Sequence, residues 1–173
     1  MASSIIYLIC GSTGAGKTTY AIRLSEKVGA VRFSIDEWMA ALFWMDSPRP
    51  IDSSWAMERV SRCYTHIWAV ALQVAKRGVS CVLDLRFGQY SERLKFAALA
   101  RGAGFLVELH FLDVPASERW LRIQARNANK PETYQLPFDV TREMFDFVES
   151  IWNSPTDAEM ASLNGIVVSG DDS

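Results

Sequence analysis

Histidine and cysteine are scarce in this 173-residue chain, and nothing in it repeats. The two histidines, His66 and His110, stand in a helix pattern and a strand pattern, without partners at metal-ligand spacing, so neither is given a role. Cys10, Cys63 and Cys81 lie within apolar patterns and form no CxxC; this argues against a disulfide framework or a zinc site and for buried thiols in a reducing compartment. There is no low-complexity run, no basic-then-apolar leader and no apolar stretch near the length of a membrane span, so a cytoplasmic location is expected. An excess of positive charge is lacking too. With 18 Lys and Arg against 20 Asp and Glu, the formal charge of -2 argues against a long nucleic acid as an obligatory partner, while a small anion needs only a local patch. A 49% apolar, 22% charged composition at this length reads as one globular domain over residues 1–173.

What the chain does contain is concentrated in residues 5–19. An apolar run, Ile5-Ile6-Tyr7-Leu8-Ile9-Cys10, enters Gly11-Ser12-Thr13-Gly14-Ala15-Gly16-Lys17-Thr18-Thr19, a match to G-x-x-x-x-G-K-[ST] between a strand pattern and a helix pattern. Glycines in such a loop open backbone angles closed to other residues, so successive N–H groups curl around a phosphate at a helix N-terminus. Residues 11–19 are therefore expected to hold a nucleotide. Lys17 is placed to meet its β- and γ-phosphates, and the Thr18 hydroxyl to ligate Mg²⁺.

Along the chain, helix-spaced apolar residues run from Thr18 to Val28, and Val31–Ile35 alternates as a strand with Asp36 at its end. A short helix over Glu37–Trp44, a Pro-bearing loop and a long amphipathic helix from Ser53 to about Lys76 follow. Val79–Asp84 reads as a buried parallel strand ending in a carboxylate. A helix over Ser91–Ala103, a strand over Leu106–Leu112 and a helix over Ser117–Arg126 come next, then a polar stretch. Thr141 is the expected cap of a helix reaching about Trp152, with Val140 and Phe145 as a hydrophobic staple. A short helix from Asp157 to Leu163 and a strand at Gly165–Val168 close the pattern. Alternating strands and helices predict an α/β fold, a parallel sheet covered on both faces with right-handed crossovers. Ligands of such sheets bind beyond the C-terminal strand ends, where Gly11, Asp36 and Asp84 all fall.

Phosphoryl transfer needs a phosphate cradle, a metal, a group that positions or deprotonates the attacking oxygen, and cations at the transferring group. Asp84 is either a metal-holding carboxylate or the start of a loop. Asp36 is either a general base for an acceptor hydroxyl or the N-cap of the following helix. Arg119, Arg122 and Arg126 share one helix face, which is either a lid over the phosphates or a solvated surface. Trp38 and Trp44, close after Asp36, are candidates to line an acceptor pocket.

These residues resemble those of the small P-loop kinases, a family that includes zeta toxins, chloramphenicol phosphotransferases, the kinase domain of polynucleotide kinases and many AAA-type ATP-binding proteins known only as predicted kinases. The resemblance rests on Gly11–Thr18, Ser34-Ile35-Asp36, Val82-Leu83-Asp84 and Leu121-Arg122-Ile123-Gln124-Ala125-Arg126-Asn127. Asp84-Leu85-Arg86-Phe87, Leu109–Pro115 and Pro155–Glu159 are similar to the last branch. It implies a P-loop NTPase fold with five strands in the order 2-3-1-4-5 and an arginine-bearing helical lid at about 116–140. It implies ATP and Mg²⁺, Asp36 as the base, Lys17, Arg122 and Arg126 as catalytic cations with Arg126 also on the nucleotide, and Thr18 and Asp84 at the metal. The expected acceptor is a hydroxyl of a small molecule, a metabolite or an antibiotic. Polynucleotide kinases of this group carry an arginine three residues after the base, where this chain has Met39, so a 5′-hydroxyl nucleic acid or nucleoside is the alternative acceptor. A GTPase-like switch is a second alternative, but Asp84 to Gly88 has the wrong spacing for Asp-x-x-Gly and Asn129-Lys130-Pro131-Glu132 lacks the final aspartate.

Overall fold

The computed structural model describes residues 4–130 and 138–169. Five strands, β1 (Ile5–Cys10), β2 (Val31–Ser34), β3 (Cys81–Asp84), β4 (Leu106–Leu112) and β5 (Ile166–Val168), form one all-parallel sheet in the order β2-β3-β1-β4-β5. The helices are α1 (Lys17–Val28), α2 (Ile35–Phe43), α3 (Ser53–Ala75), α4 (Tyr90–Gly102), α5 (Ala116–Asn129), α6 (Arg142–Ile151) and α7 (Asp157–Ser162), with a 3-10 turn at Trp44–Asp46. The expected sheet order and the P-loop NTPase architecture are thus both present.

Strand periodicity decides which face each residue serves. In β1, Ile6, Leu8 and Cys10 pack with α3 and α4 residues such as Ile67, Ala71, Phe96 and Ala100. Tyr7 and Ile9 turn to the other face and join Ala21 and Leu24 of α1. Burial on both faces explains why β1 and β3 read as continuous apolar runs rather than alternating ones. Ile123, Val140 and Phe145 form a smaller cluster that joins α5 to α6, and Thr141 caps α6 by accepting from Met144 N–H at 3.2 Å. Among the described residues no helix is long and apolar enough to cross a membrane.

Several boundaries differ from the sequence reading. Strand β2 stops at Ser34 rather than Ile35, and Ser34, not Asp36, caps α2 by accepting from Glu37 N–H. A serine satisfies the orphan donors of the first turn, which leaves Asp36 inside that turn. Strand β3 begins at Cys81, two residues later than expected, because Ser80 instead uses its carbonyl and hydroxyl on Val31 and Ile5 N–H. Residues 131–137 of the expected lid lie outside the described residues.

Candidate active site

Strand β1 lies between β3 and β4, so the chain leaving it opens into the crevice where strand connections diverge to either side. The loop there is built around two glycines. Gly16, the residue before α1, has φ +91°, and Gly14 has φ +84°. A β-carbon on Gly14 would also lie 2.6 Å from the Arg119 carbonyl and 3.0 Å from Ile123, so the loop is pressed against α5. Ala15 N–H and Lys17 Nζ both donate to the Ser12 carbonyl, at 3.2 and 3.1 Å. Burial lowers the Lys17 pKa, and the carboxylates of Asp84 and Asp36 push it back up. The lysine therefore keeps its cationic form with support from two nearby carboxylates, available to a phosphate in the loop.

Asp84, at the end of β3, is buried. Burial raises its pKa, countered by Lys17, by Arg32 and by the neighbouring Thr18 hydroxyl. Arg32 Nη1 lies 3.6 Å from Asp84 Oδ2. Ser34 and Asp84 are in register across β2 and β3, which brings Asp36, two residues on, to the same edge. The two residues expected at a metal, Thr18 and Asp84, are therefore neighbours, and the expected base stands near enough to influence Lys17.

Asp36 is ion-paired with Arg86, a residue to which sequence reading assigned no role. Arg86 occupies the left-handed region, φ +57°, without being glycine. Its side chain is half exposed; crowding by neighbouring atoms disfavours its charge, and the Asp36 carboxylate more than offsets this, so its pKa lies above the ordinary value. Beside this pair opens a cavity of about 150 Å³ between α2, the 3-10 turn and α3. Asp36, Ser47 and Arg86 are its polar lining; the rest is apolar, including Met39, Phe43, Trp44, Trp55 and Phe138. Trp44 thus lines the cavity as expected, whereas Trp38 packs on the core beside His66, 5.9 Å between ring centroids.

The arginine face of α5 divides. Arg119 is neither lid nor solvated surface: it is buried, its Nη1 and Nη2 pair with Glu149 at 2.8 and 2.7 Å, and it donates to the carbonyls of Val114 and Thr13 at 2.8 and 3.1 Å. Glu149 also accepts from the Ser12 hydroxyl, so α6 straps the phosphate loop through one carboxylate. Arg122 reaches the loop itself, donating to the Ala15 carbonyl at 3.4 Å while pairing with Glu118 at 2.6 Å. Arg126, one turn on, is half-buried. Sequence reading missed Glu149 because nothing local marks it; its partners lie 30 and 137 positions away.

A scan of known protein families matches residues 6–151 to the AAA domain. This chain is a member of that AAA-domain family. No curated protein matches it. Among solved structures, a sugar kinase from Janibacter sp. HTCC2649 superimposes with a TM-score of 0.63 at 19% identity, covering 97% of this chain and 86% of that one. Kti12 of Chaetomium thermophilum in complex with ADP-AlF3 gives 0.66 at 13% identity, over 97% and 90%. A gluconokinase from Sinorhizobium meliloti 1021 gives 0.62 at 15% identity, over 98% and 84%. The AAA-domain protein thus has the fold of the small P-loop kinases over nearly its whole length.

Proposed function

We propose that this AAA-domain protein is an ATP-dependent phosphotransferase that moves the γ-phosphoryl group to a hydroxyl of a small molecule. The observation that carries the reading is the meeting of Lys17, Asp84 and Asp36 at one sheet edge, with a cavity opening on the Asp36 side. The loop N–H groups and the Lys17 ammonium hold the β- and γ-phosphates, and Arg122, already on the loop backbone, approaches from α5. An acceptor in the cavity presents its hydroxyl to Asp36. As the hydroxyl oxygen bonds to the γ-phosphorus, its proton passes to the Asp36 carboxylate and the bond to the β–γ bridging oxygen breaks, leaving ADP. Arg126 sits one turn beyond Arg122 and is assigned to the nucleotide phosphates.

Mg²⁺ fits the residues present: the Thr18 hydroxyl and the buried Asp84 carboxylate are two neighbouring hard oxygen donors. These two would hold it, directly or through water, and it would neutralise charge between the β- and γ-phosphates.

The reading is tested by replacing Lys17. Lys17→Ala is expected to abolish ATP turnover while leaving the thermal unfolding midpoint close to that of the native chain. Unaltered turnover would overturn the phosphate-loop assignment. Met39, where nucleic-acid kinases of this resemblance have an arginine, lines the cavity and supports a small molecule over a 5′-hydroxyl strand end.

A further inference from the structure

We infer that the acceptor is an alcohol with an apolar, ring-sized body and one anionic group, and that Arg86 binds that anion. The inference rests on the kinase reading and names the acceptor class for the same site.

The first support is the backbone. A residue with a β-carbon is held at positive φ only where its surroundings over-determine it. Here every carbonyl from Leu85 to Gly88 has a donor. The Tyr64 hydroxyl donates to Leu85, and Gly88 N–H to Arg86 at 2.5 Å. The Cys10 thiol and the Arg93 guanidinium donate to Phe87 at 3.3 and 3.1 Å, and Asn153 N–H to Gly88 at 3.0 Å. The fold fixes this loop from four directions and so presents a half-exposed guanidinium over Asp36.

The second is the conflict at that pair. A carboxylate that must take a proton from an acceptor hydroxyl is here occupied by a guanidinium. Arg86 releases it most readily to another anion. A carboxylate or phosphate on the acceptor offers that, with the bidentate geometry a guanidinium favours. Binding the acceptor then frees the base in the same event.

The third is the cavity. Apolar cavities of about this size take up benzene. Facing Phe43, Trp44 and Trp55, a polyol would bury hydroxyls without partners, a cost that an apolar ring avoids.

The test is calorimetric titration of the protein loaded with Mg²⁺ and a non-hydrolysable ATP analogue. Four probes are used: 4-(hydroxymethyl)benzoate, 4-(hydroxymethyl)phenyl phosphate, 4-methylbenzyl alcohol and gluconate. At least one of the two aromatic anions is expected to bind about tenfold or more tightly than the neutral alcohol, the effect of one charge-assisted hydrogen bond, and more tightly than gluconate, whose hydroxyls the apolar wall leaves without partners. Which of them binds better distinguishes a carboxylate from a phosphate. Arg86→Gly, which adopts the loop conformation without cost, is expected to erase the preference over the neutral alcohol. Arg86→Gln, which keeps a β-carbon and removes the charge, is expected to do the same. Equal affinity for charged and neutral probes, a preference that survives both variants, or gluconate as the tightest ligand would overturn the inference. Incubating the same probes with ATP separates the two readings: a preference in binding without transfer to any probe would overturn the kinase reading and leave Arg86 an anion-binding residue.

Discussion

Asp36 carries the sharpest prediction at the scale of single residues. Asp36→Asn is expected to slow phosphoryl transfer by at least about a hundredfold while nucleotide affinity stays near that of the native chain. Single-turnover kinetics beside a nucleotide titration would show it, and a normal transfer rate would leave Asp36 only the ion-pair partner of Arg86. The thiols give a second prediction. Burial pushes Cys10 and Cys81 up to about 11 and raises Cys63 as well, so none is a thiolate near neutral pH. A thiol reagent is expected to label none of them in the folded protein and all three on denaturation. Rapid labelling of the folded chain would show that the core opens around them. The placement of Lys17, Thr18 and Asp84 at one sheet edge was legible in the sequence because a short motif and a strand end locate them. Arg86 was not: its partner lies 50 positions away, and an arginine, unlike a glycine or an asparagine, does not announce a left-handed backbone.

Among the elements, α6 is the one whose part in the site only the structure displays. Its cap at Thr141 and the staple of Val140 and Phe145 follow from local pattern, whereas the strap from Glu149 to Ser12 and Arg119 depends on how α5 and α6 pack. The same limit explains the arginine face of α5. Spacing places Arg119, Arg122 and Arg126 together, but only the packing of α6 decides that Arg119 is buried and paired. Arg119, and then Ser12, hold the Glu149 carboxyl below its usual value despite the opposing effect of burial. A carboxyl whose pKa is lower folded than unfolded stabilises the fold fully above the unfolded value of about 4.3 and loses that contribution as pH falls through the folded value. Urea midpoints should therefore be lower for Glu149→Gln than for the native chain at neutral pH. The gap should close as the pH is brought from about 5 down through the folded value. A gap independent of pH would mean that the carboxylate charge is not what holds α6 to the loop.

For the whole molecule, the alternation of strand and helix was enough to predict a two-sided parallel sheet, and resemblance supplied its order. The polar link inside it was invisible. Arg93 of α4 and Glu159 of α7 are buried together, with Nε to Oε1 at 2.5 Å and Nη2 to Oε2 at 3.1 Å, and Arg93 also reaches the Phe87 carbonyl of the loop that presents Arg86. Glu159→Ala, which strands a buried guanidinium, is expected to cost ~3–5 kcal/mol by urea unfolding. Arg93→Met with Glu159→Leu should cost clearly less than the single change, and equal costs would show that the pair is not coupled. The proposed activity turns on phosphate reaching a small hydroxyl compound. The most direct test is mass spectrometry of mixed hydroxylated metabolites, aromatic hydroxy acids, antibiotics, nucleosides and a 5′-hydroxyl oligonucleotide after incubation with the protein, Mg²⁺ and ATP, with Asp36→Asn in parallel. A single phosphate added to a small alcohol by the native chain and not by the variant is the predicted result; label on the oligonucleotide alone, or ATP hydrolysis with no compound labelled, would contradict it.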